Sequence, residues 1–187
     1  LVSARTSGEP YSEGGISLFI LDANAQGLQI QRATMVDSRN SANLVMDQVR
    51  VSEDSLLGVE GAGFTALDTT LDIARIGVAS EMLGSVQEIF QRIVEYLKQR
   101  EQFGVQIGAF QALQHRAAKM YSEIELCRSA VLGALRCLDD PLATAKVRAI
   151  MASLAKAKLS EVSETVSNEG IQMLSLIHIS EPTRLRS

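Results

Sequence analysis

The spacing of apolar residues changes partway along this chain, and the change marks its architecture. Through the first 60 or so residues the period is that of strands. Ile16-Ser17-Leu18-Phe19-Ile20-Leu21 is an apolar, β-branched run bounded by Gly14-Gly15 and by Asp22-Ala23-Asn24. Leu28-Gln29-Ile30-Gln31 alternates with period two, and Asn43 to Val51 alternates again before Ser52-Glu53-Asp54. Leu1 to Arg5 reads as the end of a further strand. Strands this few and this short do not close a barrel or sandwich by themselves, so they are expected to pair with strands outside this sequence.

After Gly61-Ala62-Gly63 the period becomes helical. Phe64, Leu67, Leu71, Met82, Val86, Ile89, Ile93 and Leu97 predict a helix of about 37 residues, roughly 55 Å long. Gly77 and Gly84 lie inside it, each costing up to about 1 kcal/mol relative to alanine. A close backbone approach by a neighbour is the expected compensation. Phe110, Leu113, Ala117, Met120, Ile124, Cys127, Val131, Ala134 and Leu138 step by three and four, the stripe of a bundle helix. Asp139-Asp140-Pro141 breaks that stripe, with Pro141 placed to open a third helix from Leu142 to about Met173. This third helix carries Ile150, Leu154 and Val162 among many alanines.

The predicted fold is therefore α+β. Residues 1–60 form part of an antiparallel β-domain, and residues 61–173 form an up-and-down bundle of three long helices, one short of the usual four. The stretch from Leu174 to Arg184 resembles the translation of a transposase-type sequencing adapter, so residues 174–187 are expected to be a non-native tail. Without them the basic residues fall from 18 to 16 and the acidic residues from 22 to 21, which moves the net charge from −4 to −5.

Neither value leaves a basic surface suited to nucleic acid. No run approaches the roughly 18 apolar residues that span a bilayer. Cys127 and Cys137 lie ten residues apart on one predicted helix, about 15 Å along its axis, and cannot pair within it. Reduced thiols in a cytoplasm-like compartment are expected. Two histidines far apart, with no Cys/His cluster, give no support to a metal site. P-loop, G-x-S-x-G and dinucleotide fingerprints are missing from the sequence. The Gly58…Gly61-Ala62-Gly63 cluster precedes a helix but reads as a hinge between strands and bundle.

The candidate chemistry lies in the connector Arg100-Glu101-Gln102-Phe103-Gly104-Val105-Gln106-Ile107-Gly108-Ala109-Phe110-Gln111. Arg100 reads either as a solvated cap complementing the helix dipole or as a guanidinium for a pyrophosphate. Gln102 and Gln111 are either surface amides or donors to a planar cofactor. Phe103 and Phe110, taken alone, are core plugs, and Gly104 suits the residue just past a helix end. Asp72 and Arg75 form an i, i+3 pair, either solvated or facing a substrate channel. His115 lacks a nucleophile or metal partner and reads as a surface histidine.

Taken together, these pieces resemble the C-terminal half of an acyl-CoA dehydrogenase. The resemblance runs over residues 1–173: Ile16 to Leu21 with Gly27-Leu28, Asp47 to Ser52 with Leu56-Leu57-Gly58, Leu71 to Arg75, Arg100 to Gln111, and Gly170-Ile171-Gln172-Met173. It implies FAD as cofactor, an acyl-CoA thioester as substrate, α,β-dehydrogenation with the hydride passing to flavin N5, and an electron-transfer flavoprotein as acceptor. It also implies a homotetramer or dimer, in a bacterial cytoplasm or a mitochondrial matrix. By position, Asp72, Ile73, Ala74 and Arg75 would border the acyl-CoA, while Arg100, Gln102, Phe103, Phe110, Gln111 and Gln172 would contact FAD, in part a flavin held by a neighbouring subunit. The family's usual catalytic glutamate belongs to a segment downstream of Gln172, and a minority of members place it immediately before the position of Arg75, where this chain has Ala74. The chain as written is thus expected to be a truncated, inactive piece of an active enzyme. The alternative is a paralogous subunit without a base that completes the assembly or the flavin site of a partner.

Overall fold

The computed structural model describes residues 1–37 and 39–174, so nearly all of the tail expected at 174–187 lies outside the described residues. Two compact units are present, Leu1–Asp68 and the residues from Thr69 onward.

In the first unit, β1 (Val2–Arg5) pairs antiparallel with β2 (Ile16–Phe19), with Val2 opposite Phe19 and Arg5 opposite Ile16. The loop between them is gathered on the Arg5 guanidinium, which donates to the carbonyls of Ser7, Ser12 and Gly14. β3 (Leu28–Thr34) and β4 (Asn40–Met46) form a separate hairpin. β5 (Leu56–Leu57) completes the first sheet on the other side of β2. β4 ends at Met46, short of the expected Val51, because Gln48 turns the chain at φ 49°. The Asp47 amide donates to Gly27 O. A side chain at Gly27 (φ 87°) would strike the Asp47 carbonyl.

Within the first unit, the end of the Gly58–Gly63 stretch is held against β2. Gly15 N donates to Gly61 O at 2.9 Å, Gly61 N donates to the buried Ser17 Oγ at 2.8 Å, and Ala62 bridges Ile16. A Cβ on Gly63 would lie 2.9 Å from Leu18 Cγ, so only glycine fits there without displacement.

The second unit is the bundle. α1 (Gly63–Gln99) begins in the first unit and runs 37 residues. It is followed by a two-residue hairpin, β6 (Glu101–Gln102) and β7 (Val105–Gln106). α2 (Gln111–Asp139) and α3 (Ala145–Met173) come next. α2 and α3 are antiparallel: Arg116 reaches Glu169 at 2.6 Å, Lys158 reaches Glu123 at 2.5 Å, and Gly133 faces Met151. Gly170 packs on Ile89 and Ile93, which sets the end of α3 beside the last turns of α1. The buried core takes Ile76, Ala79, Val86, Ile93 and Leu97 from α1, and Met120, Ile124, Cys127, Val131 and Ala134 from α2. From α3 it takes Ala152, Ala155, Leu159, Val162, Val166 and Met173.

Four further expectations are corrected. α3 starts at Ala145 rather than Leu142, because Asp140 Oδ1 accepts from Leu142 N and holds Pro141 in a turn, while Thr144 caps the helix by accepting from Val147 N. Ile150 and Leu154 are 55% and 52% exposed; the expected Val162 is buried, and Ala152, Ala155, Leu159 and Val166 carry the buried face with it. Leu71 is likewise exposed. Gly77 and Gly84 meet nothing within 4 Å where a Cβ would stand, so among the described residues no close approach compensates them.

Candidate functional site

The connector between α1 and α2 has a defined shape. Arg100 N still donates to Tyr96 O at 2.9 Å, after which the chain leaves the helix into the β6–β7 hairpin. Its two loop residues, Phe103 and Gly104, both have positive φ, 56° and 77°, as a type I′ turn requires. Gly104 therefore serves the hairpin and not the helix end. A non-glycine residue held left-handed costs roughly 1–2 kcal/mol, and Phe103 bears that strain while 90% exposed. It is no core plug; its ring meets Phe110 edge to face, with centroids 6.2 Å apart.

Beyond the hairpin the chain folds back. Ile107 N donates to Arg100 O at 2.8 Å, and Phe110 N donates to Ile107 O. Gly108 presses on α1, since a Cβ there would lie 2.8 Å from the Leu97 carbonyl oxygen. Gln114 Nε2, one turn into α2, donates to Gly108 O at 2.8 Å. Neither Gly108 nor Gln114 stands out as a site residue by type; the signals for them in the sequence are a glycine beside a helix end and an amide within reach of it.

Arg100, Gln102 and Gln111 are exposed. Gln102 Nε2 turns back onto Glu101 O. Among the described residues the Arg100 guanidinium has no hydrogen-bond or ion-pair partner. Gln172, also exposed, stands at the same end of the bundle, because α3 ends beside the last turns of α1. The arrangement brings a cation, several amides and two aromatic edges to one end of the bundle, which suits an anionic, planar ligand.

Asp72, Ile73, Ala74 and Arg75 are elsewhere. Asp72 is 6% exposed and accepts from Arg75 Nη1 at 2.5 Å, so this pair is half-buried and not the solvated kind. Ile73 and Ala74 are exposed. Twenty-five residues of α1 at about 1.5 Å each separate position 75 from position 100, roughly 37 Å. A single chain does not bring the two groups together.

A further groove, of about 370 Å³, lies between α2 and α3 over a floor of Met120, Val162 and Val166. Four of its charges pair across the helices, Arg116 with Glu169 and Lys158 with Glu123. The hydrogen bond to Glu123 holds the Lys158 ammonium above its ordinary pKa. Burial raises the Cys127 thiol beneath it, against a smaller opposing pull from Lys158. His115 is exposed.

Comparison with known proteins covers the stretch that holds the connector. The family model for the C-terminal domain of acyl-CoA dehydrogenases matches residues 61–179. The chain is similar to the mitochondrial short/branched chain specific acyl-CoA dehydrogenase of Rattus norvegicus, at 32% identity over 168 residues, 88% of this chain and 38% of the relative. It is similar to the caffeyl-CoA reductase-Etf complex subunit CarC of Acetobacterium woodii, at 30% identity over 85% of this chain and 42% of that one. Among solved structures, butyryl-CoA dehydrogenase from Megasphaera elsdenii superposes with a TM-score of 0.79 at 31% identity, over 90% of this chain and 44% of that one. The chain spans about two fifths of the length of the curated relatives it matches.

Proposed function

Since this chain belongs to the acyl-CoA dehydrogenase family, we propose that the protein carrying it removes the α-proton and β-hydride of an acyl-CoA thioester, with FAD as cofactor. The observation that carries this reading is the α1–α2 connector: a guanidinium unpartnered among the described residues, exposed amides and an exposed aromatic edge, gathered at one bundle end. These residues fit the group. Arg100 would neutralise the diphosphate, Gln102, Gln111 and Gln172 would present amides to its polar atoms, and Phe103 with Phe110 would border its apolar edge. The flavin, when bound, supplies the hydride acceptor.

Asp72 to Arg75 would border the acyl-CoA, with buried Asp72 fixing the Arg75 side chain. Because one rigid helix holds this segment and the connector roughly 37 Å apart, we assign them to different flavin sites of a paired assembly, a dimer or a homotetramer. Electron-transfer flavoprotein is the proposed electron acceptor, a role in keeping with the Etf complex named for the Acetobacterium relative. The proposed compartment is a bacterial cytoplasm or a mitochondrial matrix, and among the described residues no helix is long and apolar enough to cross a membrane.

A second reading, a subunit without a general base that completes a partner's flavin site, rests on Ala74, whose exposed methyl occupies a position where some family members carry the glutamate. The two are separated by purifying the naturally encoded protein and assaying acyl-CoA oxidation with a dye acceptor. Bound flavin with turnover supports the dehydrogenase, and bound flavin without turnover supports the completing subunit. A colourless protein that takes up no FAD overturns both. The polypeptide of these 187 residues alone is expected to give no turnover.

A further inference from the structure

We propose that Gln114 is a positioning residue that locks the α1–α2 connector in the shape that presents Arg100, Gln102 and Phe103 to the cofactor; the inference rests on the flavin reading above. Among the described residues, the Gln114 amide makes the sole side-chain hydrogen bond to residues 103–110, from Nε2 to Gly108 O at 2.8 Å. Gly108 is itself seated on the Leu97 carbonyl, where a Cβ would come within 2.8 Å. Next to it, Ile107 N donates to Arg100 O at 2.8 Å. The connector is thus tied to the last turn of α1 on one side and to the first turn of α2 on the other, with Gly108 at the centre.

Between the ties stands the left-handed Phe103. A strained turn persists where its surroundings over-determine it, and removing the Gln114 tie leaves one side of the connector unheld. Arg100 supplies the carbonyl that Ile107 binds, so loosening at Gly108 reaches the guanidinium through two residues. Gln114 would touch no cofactor atom itself.

The test uses the naturally encoded protein with Gln114→Met and Gln114→Glu, side chains of similar length that lack the donor. Hydrogen exchange is read at the Ile107 amide and at the amides of Ile124 and Cys127, and FAD affinity is read by titrating apoprotein. Exchange at Ile107 should accelerate roughly three- to tenfold, and the FAD dissociation constant should rise by a similar factor, the range one net hydrogen bond supports. Exchange at Ile124 and Cys127 should not move. If Gln114→Glu fails to fold, Gln114→Met carries the test. Unchanged exchange at Ile107, faster exchange throughout α2, or faster exchange with unchanged FAD affinity would each overturn the proposal. If the unsubstituted protein binds no FAD, the flavin reading fails separately, while the exchange data still decide whether Gln114 holds the connector.

Discussion

Phe103 and Phe110 meet edge to face across the turn between α1 and α2, ring centroids 6.2 Å apart and planes at 78°. The contact is made in the open, by a phenylalanine whose backbone is left-handed. An exposed aromatic pair contributes at most about 0.5–1.5 kcal/mol, comparable to the strain that the turn imposes. Stability alone therefore gives no reason for a phenylalanine here, which is in keeping with the cofactor contact proposed for its ring.

That balance can be tested by Phe103→Asn, which creates the Asn-Gly pair that a type I′ turn prefers. Relief of the left-handed strain should leave thermal stability unchanged or raise it by up to about 1 kcal/mol. FAD affinity should fall at least tenfold. Calorimetry and flavin titration on the same variant check both halves, and a loss of stability would argue against the strain.

The glycines of α1 should divide by what surrounds them. Gly77→Ala and Gly84→Ala face open space and should each stabilise the fold by up to about 1 kcal/mol. Gly63→Ala drives a methyl into Leu18 and the Ile16 carbonyl and should cost about 1–3 kcal/mol. Urea denaturation of the three variants decides the matter.

On α3, Leu159→Ala should destabilise by about 2–5 kcal/mol, since Leu159 is fully buried. Ile150→Ala and Leu154→Ala should each cost well under 1 kcal/mol in an isolated chain, because both side chains are half exposed. Equal losses at the two faces would mean that the exposed face is covered in solution.

Alkaline pH should weaken the bundle in two stages. The Cys127 thiol is raised above 9.0 by burial, so in the unfolded chain it ionises first, and stability falls as pH rises past about 9. Lys158 is raised above 10.5 by its hydrogen bond to Glu123. Its contribution is complete below 10.5 and is lost as pH climbs through the higher folded value. Thermal melts from pH 8 to pH 11 should show both declines, and Lys158→Met should remove the second.

The helices were legible because large apolar residues recur at helical spacing, as α2 demonstrates from Leu113 to Leu138. α3 misled for the same reason. The first turns of its interior face are built from Ala152 and Ala155, which weigh little in a periodicity, whereas Ile150 and Leu154 point outward. The connector's residues could be picked out by type, but its shape could not. Nothing in the local sequence announces a phenylalanine with positive φ, because that conformation is enforced by contacts at Leu97, Arg100 and Gln114 that only the folded chain supplies. Likewise the glycines at 58–63 suggested freedom, whereas the Ser17 hydroxyl and the Gly15 amide hold Gly61 fast.

The Ser17 hydroxyl lies 2.8 Å from Thr6 Oγ1 and accepts from the amide of Gly61, so one buried oxygen joins the end of β1, the centre of the sheet and the threshold of α1. These segments are expected to open together, as one cooperative block. Native-state exchange at Gly61 should then track that of β1, and Ser17→Ala should let the threshold of the long helix fray independently of the sheet.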